Sequence, residues 1–242
     1  MPSVDQIEEE EIYFLNSHHL KELLNLSSGV WISRGSGQEN LISLRSPVLT
    51  GPGACGSFQI TEDGIPIRPA GFCNVNNLFE ISANLASQVE VIKGPSSSMF
   101  GGNSLHGLIN IKSLEPKDTN DIYFQIDKNE SLRSRVLLRN SSNTLLGVEL
   151  DRDKGFRNQT GFDQQKMVIK NYGSFRDWSL QTLINFTNLN QETAGYIDSY
   201  FHPTRIINVN PEAYRDAKSL RIKTEISKNL DALDISLIPY IR

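Results

Sequence analysis

The sequence is poor in the residues that build metal and redox sites. Its 242 residues hold two cysteines and four histidines. Cys55 and Cys73 stand far apart, outside any CxxC pair and with no histidine near either, which argues against zinc. They are either a disulfide, if the chain reaches an oxidising compartment, or two reduced and partly buried thiols. His18 and His19 are adjacent, so on a helix they diverge by ~100° and do not form a metal pair. We therefore expect no metal and no cofactor. No apolar run reaches the ~18 residues of a membrane-spanning helix. Charge of one sign is lacking too. The 24 basic and 28 acidic residues leave −4, which gives no basic face for nucleic acid. The stretch Met1–Glu11 is acidic without an apolar centre, unlike a signal peptide, so the chain is expected to be a piece of something longer. None of these absences excludes a membrane β-barrel, whose alternating strands keep hydropathy low.

What is present differs between two parts, residues 1–116 and 117–242. The first holds most of the glycine and proline. Ser17 can cap a short helix carrying Leu20, Leu23 and Leu24 on one face, with Gly29 as its stop. Strands are expected over 40–45, 57–62, 89–92 and 108–111, with a short helix over 82–87. Asp63-Gly64 reads as a hairpin turn leading into Ile65-Pro66-Ile67. The Glu8–Glu11 run reads as a solvated face or loop. This part is a small α+β unit.

The second part alternates with period two. Leu132, Val136 and Leu138 oppose Arg133, Arg135 and Arg139. Leu146, Val148 and Leu150 oppose Glu149, Asp151 and Asp153. The same pattern fills 178–187 and 219–227, and more weakly 121–128, 165–172 and 233–241. That makes roughly seven strands of the length a tilted membrane strand needs. Their connections alternate between short (Asn140–Asn143, Gly173–Arg176, Lys228–Asp231) and long (Arg152–Asp163, Leu189–Ala217), as in outer-membrane barrels.

The strongest local motif runs from Gln88 through Val89-Glu90-Val91-Ile92-Lys93-Gly94-Pro95-Ser96-Ser97-Ser98-Met99-Phe100-Gly101-Gly102 to Gly107-Leu108-Ile109-Asn110-Ile111. No lysine follows Gly101 or Gly102 as a P-loop requires. No GxSxG elbow surrounds the serines, and only His106 is placed to activate one. Nucleotide binding and hydrolysis are therefore disfavoured, and no catalytic residue is expected.

This segment resembles the closing motif of the plug domain of TonB-dependent outer-membrane receptors. Three further pieces agree in order: Leu23-Leu24 through Ser28-Gly29-Val30, then Leu44-Arg45-Ser46, then Asp63-Gly64-Ile65-Pro66-Ile67. The resemblance implies an α+β plug followed by antiparallel strands of a transmembrane β-barrel. In such receptors a plug fills a 22-stranded barrel, which seven strands cannot close. It gives structural roles in the plug to Arg45, Asp63, Gly64, Glu90, Gly94, Pro95, Gly101, Gly107 and Asn110, with Glu90 the candidate partner of a buried Arg45. It makes residues 51–74 a loop that faces arriving ligand, held by a Cys55–Cys73 bridge. Arg68, Phe72 and Asn74 would then touch ligand or be merely structural. Tyr196 and Tyr200 would face ligand or form the interfacial belt.

By the same resemblance the parent protein binds a bulky nutrient such as an iron–siderophore complex or cobalamin at the cell outer membrane of a Gram-negative bacterium. It contacts lipid and is coupled to the inner-membrane TonB complex. The coupling box and early plug strand of a complete receptor are not visible before Val4. A soluble exported plug-like binding module without transport, or a truncated remnant, stays open as the other reading.

Overall fold

The computed structural model describes residues 3–46, 58–67, 75–128, 130–140, 143–155, 157–195, 207–231 and 233–242. The chain divides into two compact units, Met1–Leu114 and Glu115–Arg242.

The first unit opens with β1 (Ser3–Glu8), α1 (Glu9–Leu15) and α2 (Leu20–Leu24). The hairpin β2 (Val30–Arg34) and β3 (Asn40–Leu44) follows, then β4 (Gln59–Glu62) and β5 (Ile65–Pro66). Two 3-10 segments, Val75–Glu80 and Ala83–Leu85, lead into β6 (Ala86–Lys93), α3 (Ser97–Phe100) and β7 (Gly107–Ser113). The main sheet has the order β1-β6-β7-β4-β5, with β4 parallel to β7 and the other pairs antiparallel. Alternation in β6 and β7 buries Val89, Val91, Ile109 and Ile111 against Leu23, Leu24 and Leu44.

Several local expectations are corrected here. An early strand is present: β1 pairs with β6 from Ser3↔Lys93 to Glu8↔Gln88. Its acidic side chains hid it, because Asp5 and Glu8 are bonded to Lys93 and Gln88 on the neighbouring strand. Of the two readings of the Glu8–Glu11 run, the solvated face holds: Glu8 ends β1 and caps α1, its N–H donating to Glu11 Oε2 at 3.0 Å, and Glu10 and Glu11 are exposed on the first turn. His19 rather than Ser17 caps α2, its Nδ1 accepting the Lys21 N–H at 3.0 Å. Ser17 instead donates to Asn84 at 3.4 Å. The helix expected over 82–87 is one 3-10 turn, because β6 starts at Ala86.

The second unit is one antiparallel meander. Its strands are β8 (Asp121–Ile126), β9 (Leu132–Asn140), β10 (Thr144–Asp153), β11 (Phe162–Phe175), β12 (Trp178–Glu192), β13 (Tyr214–Leu230), β14 (Leu233–Leu237) and β15 (Tyr240–Ile241). Each pairs with the next in sequence up to β14, and β15 also pairs with β13, so β14 and β15 are two pieces along one edge. Among the described residues the sheet is open, with β8 at the other edge. The chain leaves β9, β11 and β13 at one end of the sheet and β8, β10 and β12 at the other. With 14, 15 and 17 residues, β11, β12 and β13 run longer than the alternation alone marked.

Register turns the alternation into continuous rows on one face. Ile122, Val136, Val148, Met167, Phe186 and Leu220 are successive cross-strand partners. So are Leu138, Leu146, Ile169, Ile184, Ile222 and Ile241. Many of these apolar side chains are exposed, Ile122 at 78%. The opposite face carries paired charges. Arg135 bonds Asp121 at 3.0 Å and stacks on Tyr123, and Arg133 reaches Asp151 at 3.8 Å. Lys170 is buried and donates to Glu115 at 2.7 Å, beside the Tyr172 hydroxyl.

Candidate functional site

The plug-like unit is held by a polar network that joins its motif segments. Asp63 and Gly64 both have positive φ, 45° and 77°, as a tight two-residue hairpin turn requires. The Asp63 carboxylate accepts the Ser113 N–H at 3.0 Å and its hydroxyl at 2.6 Å. The Asn110 Oδ1 accepts from the Thr61 hydroxyl at 2.8 Å and the Gly64 N–H at 3.2 Å. Its Nδ2 donates to Glu90 at 3.0 Å. Lys112 donates to Glu90 at 2.7 Å and to Gln88 at 2.9 Å. Burial pushes the Glu90 carboxyl up, but the bonds from Lys112 and Asn110 outweigh it and leave the group below its ordinary range.

Asn110→Ala removes the bonds to the Thr61 hydroxyl, the Gly64 N–H and Glu90, for an expected loss of about 2 kcal/mol. Urea unfolding of the chain, followed by Trp31 fluorescence in a Trp178→Phe background, checks it. An unchanged midpoint would refute the role.

The partner expected for Glu90 is different. Arg45 is exposed, at φ 44°, with its N–H donating to the Gly29 carbonyl at 2.9 Å. A Cβ on Gly29 would sit 3.2 Å from Arg45 Cγ, so the side chain lies over that glycine. Lys112, one strand over on β7, occupies the place assigned to Arg45. The loop after β6 starts at Gly94-Pro95, where the Gly94 N–H donates to the His106 carbonyl at 2.9 Å, and α3 ends at Gly101. Gly107 returns the chain at φ 140°, and a Cβ there would lie 2.1 Å from the Ile92 carbonyl oxygen. No side chain fits.

A second cluster ties β1 down. Lys93 is 2% exposed and donates to Asp5, to the Ser28 carbonyl at 3.1 Å and to the Ser28 hydroxyl at 3.3 Å. The Ser27 hydroxyl adds a 2.6 Å bond to Asp5. The Lys93 bond first, then that from Ser27, holds the Asp5 carboxyl below its ordinary range.

The second unit has a cavity of about 820 Å³ at its long-connection end, lined by Arg152, Arg157, Phe162, Glu192, Tyr214 and Arg215 among others. Two long connections are knitted together beside it. Arg157 donates to the Gly195 carbonyl at 3.1 Å, and Asn208 to the Gln159 carbonyl at 2.7 Å. Glu192 accepts the Gly161 N–H at 3.0 Å, and Arg152 pairs with Asp163 at 3.4 Å. Gly195 passes so close to Val209 that a Cβ would fall 2.3 Å from its Cγ2. Sequence reasoning missed this cavity. Its signal in the sequence is the pair of long connections, Arg152–Asp163 and Leu189–Ala217, whose residues line it. The ligand-facing residues expected from sequence, Arg68, Phe72, Asn74, Tyr196 and Tyr200, and both Cys55 and Cys73, lie outside the described residues.

The TonB-dependent Receptor Plug Domain family matches residues 1–108. Those residues are a TonB-dependent receptor plug domain. The strands that follow have the fold of the first barrel strands of such receptors, left open. The chain superposes on the ferric yersiniabactin uptake receptor FyuA from Yersinia pestis with a TM-score of 0.69 at 17% identity, over 99% of this chain and 40% of that one. The ferric citrate transporter FecA gives 0.76 at 13% identity, over 98% and 39%. The copper transporter OprC gives 0.68 at 13%, over 98% and 36%. The chain thus spans about two fifths of the length of these solved structures.

Proposed function

We propose that this chain is the plug and first barrel strands of an outer-membrane receptor for TonB-dependent uptake of a bulky nutrient, such as an iron–siderophore complex or cobalamin. The observation that carries the reading is the sheet after the plug, with unbroken apolar rows on one face and paired charges on the other. Rows of that kind suit lipid, and ion pairs on the far face suit a wet lumen. The soluble-module reading would leave the rows in water, where contiguous apolar patches are rare.

The protein's role is binding and passage rather than catalysis. Its partners are the nutrient, outer-membrane lipid and the inner-membrane TonB complex. The cavity lined by Arg157, Tyr214 and Arg215 supplies cationic and aromatic groups to an arriving chelate.

The test is uptake of labelled ferric siderophores and labelled cobalamin by cells expressing the complete protein. Loss of uptake without the TonB complex is expected. Arg157→Ala with Tyr214→Ala is expected to weaken binding of the nutrient about tenfold or more, as loss of two anchors would. Uptake of every tested nutrient that ignores removal of the TonB complex would refute the reading.

A further inference from the structure

The short-connection end of the second unit carries a cluster that the uptake reading does not use. Phe175 and Trp178 are cross-strand partners flanking the two-residue connection Arg176-Asp177. By alternation Phe175 follows Met167 and Ile169 on β11, and Trp178 precedes Leu180 and Ile184 on β12, so both belong to the apolar face. Phe175 is 64% exposed there. The Arg176 guanidinium lies 5.3 Å from the Phe175 ring centroid. The Lys228 ammonium lies 5.7 Å from the Trp178 ring and 3.3 Å from Asp177. Lys228 follows Ile226 on the same face of β13, and its partner on β14 is the exposed Ile235. Arg176 also holds φ 55°, a conformation in which glycine or asparagine stands more easily.

Each cation is thus placed at an aromatic ring, at the border where the apolar rows end. Aromatic side chains of membrane barrels collect at headgroup depth, and long basic side chains there hold their heads at the phosphates. Asp177 offsets one charge and leaves the cluster net cationic.

We propose that Arg176 and Lys228, braced by Phe175 and Trp178, form a binding site for the phosphate of an anionic glycerophospholipid in the leaflet at the short-connection side. The proposal rests on the membrane reading above. The headgroup phosphate takes the guanidinium and ammonium donors, and the aromatic rings seat the first carbons of the acyl chains.

The test uses the full chain with Trp31→Phe, refolded in the presence of vesicles of phosphatidylcholine alone or with phosphatidylglycerol. Partition is read by flotation, and Trp178 contact by quenching with brominated phosphatidylglycerol. Phosphatidylglycerol is expected to raise partition about five- to tenfold, the share of two surface cations partly offset by one carboxylate. Arg176→Gln with Lys228→Gln is expected to abolish that increment, with partition into neutral vesicles unchanged. Asp177→Asn is expected to enlarge it. An increment that survives in the double glutamine variant, or none in the parent chain that still enters neutral vesicles, would overturn the lipid site alone. Failure of the parent chain to associate with any vesicle would overturn the lipid site, while the membrane reading is tested separately by uptake in the complete protein. Competition by inorganic phosphate at equal charge to the lipid would reassign the site to a free anion and overturn the proposal.

Discussion

Asp5→Ala is expected to destabilise the plug unit by about 3 kcal/mol, the loss seen when a buried charge is left without its partner. Lys93→Met, which removes the same ion pair, is expected to cost only about 1 kcal/mol. The asymmetry comes from burial. Lys93 is 2% exposed and keeps only Ser28 once Asp5 is gone, whereas Asp5 at 32% is reached by water when Lys93 is gone. The double variant should resemble Lys93→Met, since no uncompensated buried charge remains. Urea midpoints read from Trp31 fluorescence test all three.

The pH dependence has a fixed sign. The Asp5 carboxyl is held below its unfolded value, so its stabilisation is complete above that value and fades as pH falls through the folded one. The parent chain should therefore lose stability in acid below the ordinary carboxylate range, and Asp5→Ala should show a shallower loss. Equal costs for Asp5→Ala and Lys93→Met would refute the buried-charge account.

Gly107→Ala is expected to have the larger effect, at least about 3 kcal/mol. It combines a left-handed conformation with a clash that nothing flexible can relieve. The added Cβ would meet the Ile92 carbonyl oxygen at 2.1 Å and Leu44 Cδ2 at 2.7 Å. Ile92 is paired with Leu108 in the β6–β7 ladder, so retreat of its carbonyl breaks the register that also seats Asn110 against Glu90. Gly102→Ala, in the same loop but with open space around it, should stay within about 0.5 kcal/mol. Similar midpoints for the two variants would sink the argument.

The segments that sequence made legible are those whose pattern and pairing agree. Leu146, Val148 and Leu150 alternate with charged residues, and the register sets Leu146 and Val148 beside Ile169 and Met167 on β11. Asp63-Gly64 needs no tertiary help to turn, so the hairpin is visible from two residues. What stayed hidden is settled by partners distant in sequence. β1 reads as a solvated acidic run until Lys93 and Gln88 supply its counter-groups from the other end of the unit. Lys112 reaches Glu90 only through the β6–β7 register, which the sequence alone does not display, so Arg45 stands there as the candidate partner. The loop cavity arises from two connections that meet through Arg157 and Asn208, and no periodicity records that meeting.

The order β1-β6-β7-β4-β5 has a consequence for the newly made chain. β1 has no ladder to join until Ala86–Lys93 has been synthesised, and β4 has no parallel partner until Gly107–Ser113 has followed. Before β6 is made, the hairpins β2–β3 and β4–β5 are the strand pairs that can close locally, and each is short. Two-stranded hairpins are marginal on their own in water. The loops that must close are long, so their entropy is lost late and all at once. The nascent unit therefore cannot complete its main sheet until its final strand has emerged.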